Sequence, residues 1–313
     1  MVDALGDDQL DLKNRTNTLK DLKGVGPKTA AVIVEAHKGQ VPEYLAKLEA
    51  SYAELVPLAD DVAEFRARLR GDLHVHSDWS DGGSPIREMA EAAMALGHEY
   101  MALTDHSPRL TVANGLSPER LEKQLDVVAA LNEELAPFRI LTGIECDINV
   151  DGSLDQTDEL LGRLDVVVAS VHSELRSDSK AMTARMLAAV ANPHTDVLGH
   201  CTGRLVIGRT QRNGTQRPRP ESQFDADAVF RACVEHGTAV EINSRPERLD
   251  PPKRLLSMAV ELGCEFAVDT DAHAPGQLDW QSNGCERAVE TGVPPERVIN
   301  TRTAEELLAW TGR

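Results

Sequence analysis

Two histidines one residue apart, His74 and His76, follow a short apolar run inside Asp72-Leu73-His74-Val75-His76-Ser77-Asp78-Trp79-Ser80-Asp81-Gly82. Residues i and i+2 of a strand share one side of the pleat, so two neutral imidazoles placed this way can chelate one metal ion. A single His-x-His is equally well read as a packed or surface pair. Recurrence carries the argument. Thr104-Asp105-His106, Gly143-Ile144-Glu145, Ser170-Val171-His172-Ser173, Leu198-Gly199-His200 and Asp269-Thr270-Asp271-Ala272-His273 each close another short apolar run. A chain with 10 His scattered at random would not place them at strand ends this consistently.

Mixed imidazole and carboxylate donors suit Zn, Mn or Fe, whereas carboxylates alone would suit Mg or Ca. So many donors imply two or three divalent ions. Several ions close together serve hydrolysis of a phosphate ester, polarising the phosphoryl group and stabilising the leaving oxygen. The sequence offers no nucleophile elbow and no Walker A loop as a competing chemistry.

Such donors converge only if the elements before them are parallel. Strands are predicted near 72–75, 100–104, 139–143, 165–170, 196–199, 239–242 and 266–268. Helices are predicted near 85–96, 118–136, 179–191, 225–236, 253–262, 281–291 and 304–310. Alternating β and α implies an α/β fold with a parallel sheet, and seven strands suggest a closed or distorted barrel. Its strand C-termini would meet at one mouth. Gly203–Gln223 breaks the rhythm with Arg204, Arg209, Arg212, Arg217 and Arg219, and reads as a long functional or disordered loop.

Ahead of the barrel, residues 1–13 are polar and are expected to be frayed. Helices are expected at Thr18–Leu22 and Pro27–Ala36 around a Gly24-Val25-Gly26 turn, and a longer one over Pro42–Leu69. The domain boundary is placed at Arg70-Gly71, giving a small helical domain (1–70) and a hydrolytic domain (71–313).

A net charge of −18 argues against a surface that binds nucleic acid throughout, but not against a local basic patch. Five scattered Cys without a CxxC pair suggest a reduced, cytoplasmic chain. No leader-like segment opens the sequence, and no run of about 18 apolar residues suggests a membrane span.

The motifs DLHVHSDWSDG, ALTDHS, GIECDI, VASVHSEL, LGHCTGR, VEINSRPERLD and AVDTDAH resemble the PHP (polymerase and histidinol phosphatase) domain, nearest to that of bacterial family X DNA polymerases, over residues 71–313. The resemblance implies a distorted (βα)7 barrel with a trinuclear metal site. It implies one ion on His74, His76, Glu145 and Asp271. A second would share Glu145 and take His172 and His200, and a third would take Asp81, His106 and His273. Some small-molecule phosphatases of the family have His where Asp81 stands. Asp matches the polymerase-associated branch and favours Mn there. Cys201 stands where many relatives have Pro; a packed, inert thiol is the expectation.

Glu145, Asp271 and His172, with Arg204 and Arg245, are the catalytic candidates. Arg176, Arg204 and Arg245 are candidates for holding substrate phosphate, each equally readable as a solvated arginine. His37, His98, His194 and His236 read as structural. Residues 19–30 resemble a helix-hairpin-helix DNA-binding motif, with Lys23, Gly24, Gly26 and Lys28 as the DNA-contacting candidates. No Gly-Ser motif with paired Asp precedes the barrel, so polymerase activity is expected to be absent.

Three functions follow. The first is a phosphoesterase acting on DNA 3′ ends in repair, as a 3′–5′ exonuclease or 3′-phosphatase. The second is a phosphatase of a phosphorylated small molecule such as histidinol phosphate. The third is a non-catalytic DNA-binding scaffold, which an intact donor set disfavours.

Overall fold

The computed structural model describes residues 6–22, 25–46, 58–210 and 216–312. The chain divides into two compact units, residues 1–58 and 59–313.

In the first unit a helix spans Asp7–Arg15 where frayed chain was expected. An Arg15–Asp11 pair one turn apart supports it, and Lys13 and Arg15 in the last turn oppose the helix dipole. A single 3-10 turn, Leu19–Asp21, replaces the first hairpin helix, and the second spans Pro27–His37 with Pro27 in its first turn. Gly26 caps it in extended conformation. Lys23, Gly24 and the side chain of Lys28 lie outside the described residues.

The compact unit that contains the barrel begins at Ala59. Residues 58–59 are not helical, and a separate helix, Asp60–Arg66, follows. Val62, Phe65 and Leu69 are buried in the barrel unit's main core, so hydrophobic burial ties this segment to that unit.

Seven parallel strands form one sheet in the order β1 (Gly71–Val75), β2 (Tyr100–Leu103), β3 (Arg139–Asp147), β4 (Val166–Ser170), β5 (Val197–Leu198), β8 (Ala239–Asn243) and β9 (Phe266–Asp269). Most are buried along their whole length, as expected for strands covered on both faces. The sheet curls until its ends meet. Val75 bridges Ala272, and the His76 N–H donates to the Ala272 carbonyl at 2.8 Å. Asp72 accepts from the Thr270 hydroxyl, and Asp269 from the Leu73 N–H.

One buried cluster draws Leu73, Tyr100, Leu141, Val168, Val197, Ala239 and Ala267 from all seven strands, with Ile299 and Leu307 joining it. It is the barrel interior, and it leaves only the strand C-termini open to carry a site. The fold is thus α/β, a nearly closed seven-stranded parallel barrel preceded by helices. The helices of the barrel lie close to their expected ranges.

Within 203–223, read from composition as a long functional or disordered loop, the described residues hold two strands. β6 (Leu205–Thr210) and β7 (Gln216–Arg219) form an antiparallel ribbon separate from the barrel. The run Leu205-Val206-Ile207 is the strand-forming signal that the surrounding Arg, Gly and Pro obscured. Pro218 is tolerated because a two-stranded ribbon consists of edges.

Candidate metal centre

Glu145 is the middle of the site. It lies on β3 and is 1% exposed. Its Oε1 is 2.8 Å from His200 Nε2 and 3.2 Å from His172 Nε2. Its Oε2 is 2.8 Å from His106 Nδ1, 3.3 Å from His74 Nε2 and 3.6 Å from His76 Nε2. Five imidazoles from four strand ends, two of them from β1, thus surround one carboxylate.

Asp271 stands on the other side of His76, its Oδ1 3.6 Å from His76 Nε2. Asp81 Oδ1 lies 3.3 Å from His273 Nε2 and 3.4 Å from His106 Nε2. All nine donors expected at the mouth are therefore brought together. Donor atoms close enough to share an ion fall into three groups: His76, Asp81, His106 and His273; His74, His76 and Asp271; and His106, Glu145 and His172. Relative to the sets implied by family resemblance, His76 joins the Asp81 group and His106 the Glu145 group, Glu145 is not grouped with His74, His76 and Asp271, and His200 lies outside the three groups although it is 2.8 Å from Glu145.

The donors fit bound cations. His74 Nε2, both nitrogens of His76, His106 Nδ1, His172 Nε2, His200 Nδ1 and Glu145 Oε2 are buried without a hydrogen-bond partner. Buried polar atoms rarely stay unsatisfied in a native protein, and a missing ion is one of the few reasons for a cluster of them.

Electrostatics point the same way. Burial would raise the Glu145 carboxyl, but His172, His74 and His106 outweigh it and hold it well below its usual range. Burial opposes a charge on His172, yet Glu145 and Asp147 raise it to about 9. His74 is likewise pushed well up, against burial, by Glu145 and Glu241. Burial and the neighbouring His273, His106 and His74 push His76 well down, so it stays a neutral ligand. Without ions the site holds protons that cations would displace.

The backbone contributes too. Asp271 has a left-handed φ of +54°, which costs a non-glycine residue about 1 kcal/mol. Strain of this kind persists where the surroundings enforce it, and functional sites are where it gathers.

Several supporting residues escaped the sequence reading. Glu241 Oε1 accepts from His74 Nδ1 at 2.5 Å, and its Oε2 from the His200 N–H. Asp147 Oδ1 lies 3.2 Å from His172 Nδ1. Both carboxylates fix which imidazole nitrogen faces the cluster. Arg248 donates from Nε to Asp271. Asp105 accepts from the backbone and hydroxyl of Ser77 and from Ser80, fixing the loop that carries Asp81. A signal existed for two of these. Glu241 is an acid in the middle of an apolar strand, and Asp147 is two residues from Glu145, the spacing already used for His74 and His76.

The arginines divide. Arg245 Nη1 lies 3.2 Å from His273 Nδ1 and 3.4 Å from Asp271 Oδ1, with a quarter of the side chain exposed, so it stands at the rim. Arg204 donates to the carbonyls of Arg248 and Leu249 instead, which makes it a brace for that loop. Arg176 is exposed.

Cys201 is buried beside Asp250 and is absent from the donor groups; burial and Asp250 push its thiol far up. His98 is buried against Arg66, His37 pairs with Asp11, and neither His194 nor His236 joins the cluster. No helix among the described residues is long and apolar enough to cross a membrane.

A family model described as PHP domain matches residues 72–245. Over 246 residues the chain is 41% identical to the DNA polymerase/3'-5' exonuclease PolX of Bacillus subtilis (strain 168), covering 79% of this chain and 41% of that one. The chain therefore spans about two fifths of that relative's length. Over 251 residues it is 28% identical to a probable phosphatase of Syntrophotalea carbinolica, covering 77% of this chain and 95% of that one. Among solved structures, a histidinol phosphate phosphatase from Lactococcus lactis, complexed with zinc, L-histidinol and phosphate, matches with a TM-score of 0.49. Its identity is 21%, over 71% of this chain and 92% of that one. With its ordered motifs, its barrel and its His/Asp/Glu cluster, the chain belongs to the PHP domain family and has that family's metal-dependent phosphoesterase fold.

Proposed function

We propose that the chain hydrolyses phosphate esters at DNA 3′ ends, as a 3′–5′ exonuclease or 3′-end phosphatase in repair. The observation that carries the chemistry is Glu145 ringed by five imidazoles whose free nitrogens are buried and unpaired. What supports DNA is the 41% identity to a chain named as a 3'-5' exonuclease. The Gly26-Pro27 helix start, which resembles half of a DNA-binding hairpin, adds to this.

His74, His76, Asp81, His106, Glu145, His172, His200, Asp271 and His273 would hold two or three divalent ions, Mn, Zn or Fe. When bound, such ions supply Lewis-acid polarisation of the phosphoryl group and charge for the leaving oxygen. The residues do the rest. Glu145 faces His172 and His200 with one oxygen and His74, His76 and His106 with the other. Glu241 and Asp147 hold the imidazoles in the tautomers that face inward. Arg248 keeps Asp271 ionised. Arg245, at the rim, offers its remaining N–H groups to a phosphate oxygen.

A second reading has its own support: the match to a probable phosphatase runs nearly the full length of that relative. On this reading the substrate is a phosphorylated small molecule. The two are separated by incubating the protein with 3′-labelled DNA and with a panel of phosphomonoesters, each with Mn, Zn, Fe or a chelator. Metal-dependent release from DNA, lost in Glu145→Ala, is the expected result. Turnover of monoesters alone would transfer the assignment to the second reading.

A further inference from the structure

Arg245 stands at the rim of the metal centre on polar contacts that are all long. Its Nη1 lies 3.2 Å from His273 Nδ1, 3.3 Å from the Asp271 carbonyl oxygen and 3.4 Å from Asp271 Oδ1, and its Nε lies 3.6 Å from Glu247 Oε2. Charge-assisted hydrogen bonds usually measure about 2.7–2.9 Å, as the Arg248 bond to Asp271 does at 2.9 Å. The His273 contact is weaker than its length suggests. His273 Nδ1 is 2.9 Å from the Asp271 carbonyl oxygen, so Nδ1 carries the proton and donates there, which leaves Nε2 to face Asp81. A protonated Nδ1 cannot accept from Arg245. Polar contacts therefore do not fix this guanidinium.

A ring does. Arg245 Cζ lies 5.9 Å from the centroid of the Trp280 ring, within reach of a cation–π contact. Trp79 and Trp310 pack against the buried cores, whereas half-buried Trp280 packs against none of them among the described residues. Its backbone is nevertheless firmly anchored. Trp280 closes the 3-10 turn Pro275–Trp280 and opens the helix Gln281–Thr291. Leu278 is buried in a core cluster. Gln281 Nε2 donates to the carbonyls of Gly71 and Val268 at 3.0 and 2.8 Å, and Asn283 donates to the Ser244 carbonyl, next to Arg245, at 3.1 Å. What this anchoring presents to the rim is an indole.

Electrostatics explain why a ring stands there and not an acid. A carboxylate at hydrogen-bonding distance would occupy the N–H groups of Arg245 and repel a phosphate. A ring attracts the cation through its quadrupole and leaves the N–H edge free. We infer that Trp280 is a positioning residue for substrate phosphate: its ring holds the Arg245 guanidinium at the rim with the forked N–H edge open to a phosphoryl oxygen. This rests on the reading that Arg245 takes a phosphate oxygen, and it applies equally to a DNA end and to a small ester.

The test uses the metal-loaded protein with Trp280→Phe, Trp280→Leu, Arg245→Ala and the double variant Trp280→Leu/Arg245→Ala. Binding of inorganic phosphate is followed by calorimetry. KM and kcat for bis(p-nitrophenyl) phosphate, metal content and melting temperature are measured alongside. Trp280→Leu is expected to weaken phosphate binding and raise KM by about 3- to 10-fold, the loss of one cation–π contact, with kcat changed less. Trp280→Phe, which keeps a ring, is expected to retain most of the affinity. On the Arg245→Ala background the leucine substitution is expected to cost nothing further, because the two side chains act as one unit. Metal content and melting should match the parent in both single Trp280 variants. Parental phosphate affinity in Trp280→Leu, while Arg245→Ala binds weakly, would overturn this inference alone. An equal loss on the Arg245→Ala background, or a loss accompanied by lower melting or metal content, would overturn it as general damage. Phosphate affinity untouched by Arg245→Ala would remove the reading of Arg245 and this inference with it.

Discussion

Arg248 donates from Nε to Oδ2 of Asp271 at 2.9 Å, and this is the shortest side-chain hold on the last carboxylate of the cluster. Asn243 at 3.3 Å and Arg245 at 3.4 Å support it from the sides. Burial would raise the Asp271 carboxyl; Arg248, His74, His273 and Arg245 together keep it well below its usual range. A buried aspartate on a left-handed backbone therefore stays charged and aimed.

Removing that hold should weaken cation binding. Arg248→Ala is expected to cost about 10–100-fold in metal affinity, the usual range for an outer partner of a ligand. Metal titration followed by calorimetry measures it. Affinity equal to the parent's would show that Asp271 needs no such support.

Glu241→Gln tests the orientation of His74 and His200. The amide keeps the size but loses the charge that holds the Nδ1 proton of His74. Metal retained after dialysis against a weak chelator should fall by about 10–100-fold in apparent affinity. Full retention would mean that barrel packing alone sets the ring orientation.

Stripping the metals should destabilise the barrel. Ions present at about 100 times their dissociation constant stabilise the native state by about 2.7 kcal/mol. For a unit of this size that corresponds to roughly 5–10 °C in Tm. Chelator is expected to lower the melting temperature by that amount and added Mn or Zn to restore it. A melting curve indifferent to chelator would count against resident cations.

His98 gives a pH dependence away from the cluster. Burial, then Arg66, depresses its pKa from 6.5 to about 4 in the folded chain. Between those values the unfolded chain takes up a proton that the folded chain refuses, so stability falls as pH drops through this window. The contribution is about 2 kcal/mol at pH 5 relative to neutral pH. Urea unfolding of the parent and His98→Gln at both pH values isolates it. The variant, whose amide oxygen still accepts from Arg66, should lose that share of the pH dependence, and identical pH profiles would refute it.

The strands were legible because each is a short apolar run ending in a chemically distinct residue. His74, His106, Glu145, His172, His200 and Asp271 could all be placed at one mouth from that pattern. What pattern cannot supply is which residues from other elements meet there. Arg248 reads as one more charge in an Arg-rich loop until the fold carries it to Asp271. Arg204 reads the same way, yet its bonds go to carbonyls. The ribbon was obscured for the opposite reason: its strands carry the residues that usually mark loops, and their pairing depends on a bulge at Gly208 that no alternation announces.

The donors run from His74 on the first strand to His273 after the last, and the first and last strands meet through Val75 and Ala272. A chain still emerging from the ribosome lacks Asp271 and His273 until synthesis of the barrel is nearly over. The full donor set therefore exists only in a chain whose barrel is closed: a copy cut short before the last strand keeps His106, Glu145 and His172 but lacks Asp271 and His273.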